Sequence, residues 1–121
     1  MKLSPRRAFG PFMAGMGVLH LAAPKVFAPA MPSYLPAHRE LILLSGAVEL
    51  VAGVSTMHPR TRRFGRRLAA ATIVGVFPAN VEMALHPERF PKLPGGQRTL
   101  VARLPLQLPL FLLALRAGGD D

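Results

Sequence analysis

The 121-residue chain has no cysteine, no tryptophan and a single tyrosine, and its six acidic residues face fifteen lysines and arginines. Without cysteine it can build no disulfide framework, thiolate metal site or Fe–S cluster, and any redox role needs a bound cofactor or a partner. Without aromatic residues interleaved among the basic ones it lacks the stacking groove of a nucleic-acid binder, so no nucleic-acid partner is expected. The four histidines stand far apart, with no HxxxH or HExxH pair, and no metal site is expected either. Glycine-rich phosphate loops and nucleophile elbows are also missing, and Gly95-Gly96 reads as a turn.

What the chain does have is apolar length. Four runs, at about 8–23, 40–57, 68–86 and 100–115, account for most of a composition that is half hydrophobic. The formal net charge of +9 falls between these runs, where arginine-rich loops orient a membrane protein. The expectation is all-α: one domain over residues 1–121, a transmembrane four-helix bundle spanning the inner (plasma) membrane several times. The first run also fits a secretory signal, with a basic leader before it and Ala28 and Ala30 behind it. Pro29 inside that cleavage site and the three runs that follow favour a retained helix. Pro24 to Arg39, with four prolines, reads as a loop long enough to fold back over the bundle, and Tyr34 in it as an interface anchor.

The segment HPRTRRFGRR, His58 to Arg67, reads as a compact basic turn on the cytoplasmic side. With four spans, nine of the fifteen lysines and arginines then lie inside, so both termini are expected to be cytoplasmic. This topology brings scattered polar residues to one depth. His20, Asn80, Glu82, Arg103 and Gln107 fall in the outer halves of their helices, Ser45 joins them, and Glu49 lies just beneath. A charge at the middle of a span costs roughly 2.5–3.5 kcal/mol on insertion scales, so such groups are expected to face one another or trapped water. Glu49 or Glu82 is the expected counter-ion of Arg103. Asn80 and Glu82 are about 200° apart around a helix, which sets them on different sides unless the helix kinks at Pro78. Each polar residue also has an ordinary structural explanation: His20 bonded at a helix end, Glu49 neutral or hydrogen-bonded, Glu82 at the headgroup zone, Arg103 snorkelling outward. Gly10, Ala14 and Gly17 in the first helix, and Gly46 and Gly53 in the second, form small-residue stripes where helices approach closely or copies of the chain associate.

The order of GVLHLAAPKVF, LPAHRELILLSGAVELVAG, HPRTRR, VFPANVEMAL and RLPLQ resembles the DoxX-like family of small integral membrane proteins, from about residue 16 to residue 115. The likeness is carried chiefly by Ser45, Gly46 and Glu49, by Pro78, Ala79 and Asn80, and by Pro105, Leu106 and Gln107. It implies a four-helix membrane bundle, and association with quinone-linked or oxidative-stress membrane complexes. A thiol-based role does not carry over to a chain without cysteine.

The resulting expectation is an accessory or scaffolding subunit of a membrane complex, without catalytic activity of its own. Its partners are the lipid bilayer and membrane or redox proteins. Two alternatives stand beside it: a quinone-linked redox subunit, with quinone as a non-covalent cofactor, and a small-solute carrier. In each case the pocket is drawn from His20, Ser45, Glu49, Asn80, Glu82, Arg103 and Gln107.

Overall fold

A serine followed by proline is a helix-start signal, because a serine side chain can cap the first free amides and proline at the first position gives up a donor that has no partner there. Ser4-Pro5 uses it. The computed structural model describes residues 4–28, 35–89 and 95–118, and in it the Ser4 hydroxyl accepts a hydrogen bond from the Arg7 amide at 3.3 Å as α1 (Pro5–Ala22) begins. Three more helices follow: α2 (His38–Thr56), α3 (Arg62–Leu85) and α4 (Gln97–Ala114). Short 3-10 turns at Pro24–Val26 and Pro87–Arg89 lead out of α1 and α3. No strand occurs among the described residues. Tyr34, expected as an interface anchor, lies outside them.

The helices outrun the apolar segments at their amino-terminal ends, most of all α3. The basic segment expected to be a turn is a turn only up to Thr61; Arg62 to Arg67 are the first turns of α3. Hydropathy marks where a helix is apolar, whereas arginine is a good helix former that extends the helix unseen by that measure. Among the described residues, α3 is the one helix long and apolar enough by length and hydropathy to cross a membrane. The other three, at 18 or 19 residues, reach about 27–29 Å at 1.5 Å per residue, close to the roughly 30 Å of a hydrocarbon core.

Successive helices run antiparallel, α1 on α2, α2 on α3 and α3 on α4, while α1 and α4 touch sparsely. Between α1 and α2 the contact is backbone on backbone. A methyl group built on Gly17 would stand 2.6 Å from the Gly46 carbonyl oxygen, and one on Gly53 would stand 2.6 Å from that of Gly10. The core is accordingly made of small side chains: Ala52, Ala69, Ala70, Ala114 and Ala117 pack around Phe9, Met13 and Ile73. Large apolar residues face outward instead, including Phe12, Leu44, Val74, Phe77, Leu106 and Leu112.

At the end carrying the amino terminus, arginines bond the last carbonyl of α2 and two carbonyls in the turn that follows α4. Arg62 Nε donates to the Thr56 oxygen at 3.0 Å, Arg66 Nε to that of Ala117 at 2.8 Å, and Arg6 Nε to that of Arg116 at 2.9 Å. Gly118, at a positive φ of 70° that favours glycine, donates its amide to the Arg6 carbonyl at 2.6 Å. Cations here meet the negative ends of two helix dipoles.

Candidate functional site

Because α1 and α4 are joined at one end and barely meet elsewhere, the bundle leaves a cleft of about 450 Å³ towards its other end. All four helices contribute to it. Phe9, Phe12, Met13 and Met16 of α1, Ile73 and Val76 of α3 and Leu110 of α4 form apolar walls, and Phe27, just after the first 3-10 turn, adds a third phenyl ring. His20, Ser45, Glu49, Asn80, Arg103 and Gln107 supply the polar groups.

His20 is the best-positioned of these. Its Nδ1 lies 2.7 Å from the Met16 carbonyl oxygen, one turn back on α1, and because a carbonyl can only accept, Nδ1 carries the hydrogen. Phe27 stacks on the imidazole face, with centroids 3.7 Å apart and planes 10° from parallel. These two contacts fix the ring, leaving Nε2 to face Glu49 Oε1 at 3.5 Å. Glu49, 8% exposed, reaches this point because Gly46, one turn before it, lets α2 approach α1. Between the apolar walls of the cleft, His20 and Glu49 thus form one polar pair.

On the facing helices Asn80 and Gln107 present amides, and the buried Gln107 Oε1 has no hydrogen-bond partner among the described residues. A buried acceptor left without a donor costs about 1–3 kcal/mol. Arg103, one turn before Gln107, is exposed, and its guanidinium lies 3.9 Å from the Met83 sulfur. The expected pairing of Arg103 with Glu49 gives way to His20, which stands nearer on the adjoining helix.

Glu82 is not part of the cleft. Only 7% exposed, it lies 3.3 Å from His86 Nε2 one turn on, and the other ring nitrogen of His86 is 3.1 Å from Glu88 Oε1. The 200° between Asn80 and Glu82 thus separates them, since α3 runs as one helix through Pro78.

Residues 9–118 match the family model DUF8561, a domain of unknown function. The chain belongs to this family. No curated protein and no solved structure matches it. In this DUF8561 chain, sequence reasoning overlooked the apolar walls of the cleft, Phe27 among them, and one polar residue, Thr72. Thr72 lies two turns before Asn80 on the same side of α3, so its spacing did signal the position; its hydroxyl is satisfied by the Leu68 carbonyl at 2.7 Å. Phe27 sits in a loop, where no periodicity points to the ring it covers.

Proposed function

We propose that the protein is a multi-pass protein of the inner (plasma) membrane, both termini cytoplasmic, that acts as an accessory subunit holding a quinone-type head group between its four helices. The membrane part of this reading rests on the many large apolar residues that crowd the outer surface, Phe12, Leu44, Val74 and Leu106 among them, and on the contact of α1 and α2 through glycine and alanine. A water-soluble bundle avoids such a surface, because large exposed apolar surface drives association. Small interior residues are how helices pack when lipid removes the hydrophobic drive between them. The likeness to DoxX-like proteins points the same way.

The ligand part rests on one observation, the orphaned Gln107 Oε1 in a cleft with aromatic walls. A flat, apolar ring bearing oxygen atoms fits three phenyl groups and two amides, and its reduced form offers the hydroxyl that a carbonyl oxygen lacks. When bound, a quinone supplies two-electron, two-proton chemistry. This chain's contribution is to clasp the ring, to bond its oxygen atoms through Asn80 and Gln107, and to keep a proton at hand on the pair His20 and Glu49. Electrons come from a partner, since the chain has no cysteine.

The test is titration of the detergent-purified protein with a short-chain benzoquinone, followed by calorimetry and by thermal unfolding. Saturable binding that Asn80→Ala and Gln107→Ala weaken at least tenfold, about 1.4 kcal/mol, is the expected result. No heat and no thermal shift at saturating quinone would remove the ligand and leave a scaffold.

A further inference from the structure

A second cavity, of about 320 Å³, opens at the opposite end of the bundle, where α1 and α3 begin and α2 ends. Arg7, Thr56, Met57, Arg62 and Gly118 line it. The surroundings are strongly cationic. Arg6, Arg7, Arg60, Arg62, Arg63, Arg66, Arg67 and Arg116 all belong to this end, and the described acidic residues, Glu40, Glu49, Glu82 and Glu88, belong to the other end or to mid-bundle. The positive dipole ends of α1 and α3 stand here beside the negative ends of α2 and α4, so the excess of positive charge is that of the arginines. Three of the arginines bond backbone carbonyls through Nε, that of Thr56 in α2 and those of Arg116 and Ala117 in the turn after α4, and these carry only partial charge.

An apolar track leads out of this cavity. Met57, in its wall, is exposed, and Val54 and Val51 follow it at three-residue spacing as an exposed ridge running obliquely up α2 towards the other end of the bundle. A cationic pocket continuous with an exposed apolar stripe matches a molecule that joins a phosphate to a hydrocarbon chain. We infer that Arg7 and Arg62 bind the phosphate of an anionic glycerophospholipid of the inner leaflet, with an acyl chain lying along Met57, Val54 and Val51 of α2. The apolar stripe is what favours a lipid over free phosphate, and the cation excess favours an anionic headgroup over a zwitterionic one. This site depends on the membrane reading above and is independent of the quinone.

The protein is placed in nanodiscs of phosphatidylcholine alone or mixed with phosphatidylglycerol, and retained lipid is measured by native mass spectrometry alongside thermal unfolding. Retention of phosphatidylglycerol with a higher melting temperature is expected, and raised salt weakens it. With about 1 kcal/mol per arginine at a membrane surface, Arg7→Gln lowers the preference about fivefold and Arg7→Gln with Arg62→Gln about thirtyfold. Arg62 also bonds Thr56, so Arg7→Gln alone decides the matter if the double variant misfolds. Val54→Gln with Met57→Gln is expected to lower lipid retention while Arg98→Gln, at the exposed start of α4, leaves it unchanged. Equal retention of the two lipids, a preference untouched by Arg7→Gln, or full replacement by inorganic phosphate would each overturn the site. Recovery of the protein from the soluble fraction without detergent would instead overturn the membrane reading on which it stands.

Discussion

His20 and Glu49 face one another across α1 and α2 at 3.5 Å, and the ring nitrogen that faces away is committed to the Met16 carbonyl. The imidazole therefore cannot turn to serve another partner without giving up both a hydrogen bond and its stack on Phe27. The two side chains should behave as one unit. His20→Ala and Glu49→Ala are each expected to destabilise the protein by about 1–3 kcal/mol, and the double variant by less than their sum, with a coupling of about 1 kcal/mol. Denaturant unfolding of the four proteins in detergent measures this, and strictly additive losses would mean the pair does not interact.

Gln107 gives a prediction of opposite sign. Its side-chain oxygen is buried and unsatisfied, so Gln107→Leu should leave the ligand-free protein equally stable or raise its stability by about 1 kcal/mol. The same change is expected to abolish quinone binding. A residue present for structural reasons alone would instead lose stability on that change.

The glycines divide sharply. A methyl group on Gly46 would meet the Gly17 carbonyl oxygen at 2.8 Å and the His20 Cβ at 2.7 Å, whereas nothing lies within 4 Å of one on Gly75. Gly46→Ala is expected to cost about 1–3 kcal/mol by overpacking, and also to disturb the pair of His20 and Glu49. Gly75→Ala, in a helix interior, is expected to stabilise by up to about 1 kcal/mol. Thermal unfolding of both variants distinguishes them.

Orientation can be tested directly because the natural chain has no thiol. Single-cysteine variants Lys25→Cys and Arg63→Cys place a label site at opposite ends of the bundle. In intact cells an impermeant maleimide should react with Lys25→Cys, and with Arg63→Cys only after permeabilisation. The reverse pattern would invert the assigned topology, and equal reaction of both in a soluble extract would remove it.

These positions also show what could be read from the chain alone. The four helices follow from apolar runs separated by proline-rich segments, and the close approach of α1 and α2 follows from the stripes of Gly10, Gly17, Gly46 and Gly53, because both patterns repeat at helical spacing. Six of the seven residues nominated as a pocket line one cleft, because depth in each helix and the order of the helices were enough to bring them together. Glu82 does not, and the helical angle to Asn80 already carried the reason. Three contacts had no signal in the sequence. The stack of Phe27 on His20 depends on the path of a loop, Arg103 near Met83 on side-chain rotamers, and the bonds from Arg6 and Arg66 to the turn after α4 on two chain ends meeting. None of these has a period.

The latch just past α4 joins it to α1 at one end only. Arg6 and Arg66 grip the carbonyls of Arg116 and Ala117 and Gly118 ties back to α1, while farther along the same two helices part. The assembly works like tongs, riveted at the base and open at the tips. On the proposed membrane reading, a greasy molecule would enter sideways between the tips, straight from the hydrocarbon and without crossing the aqueous phase.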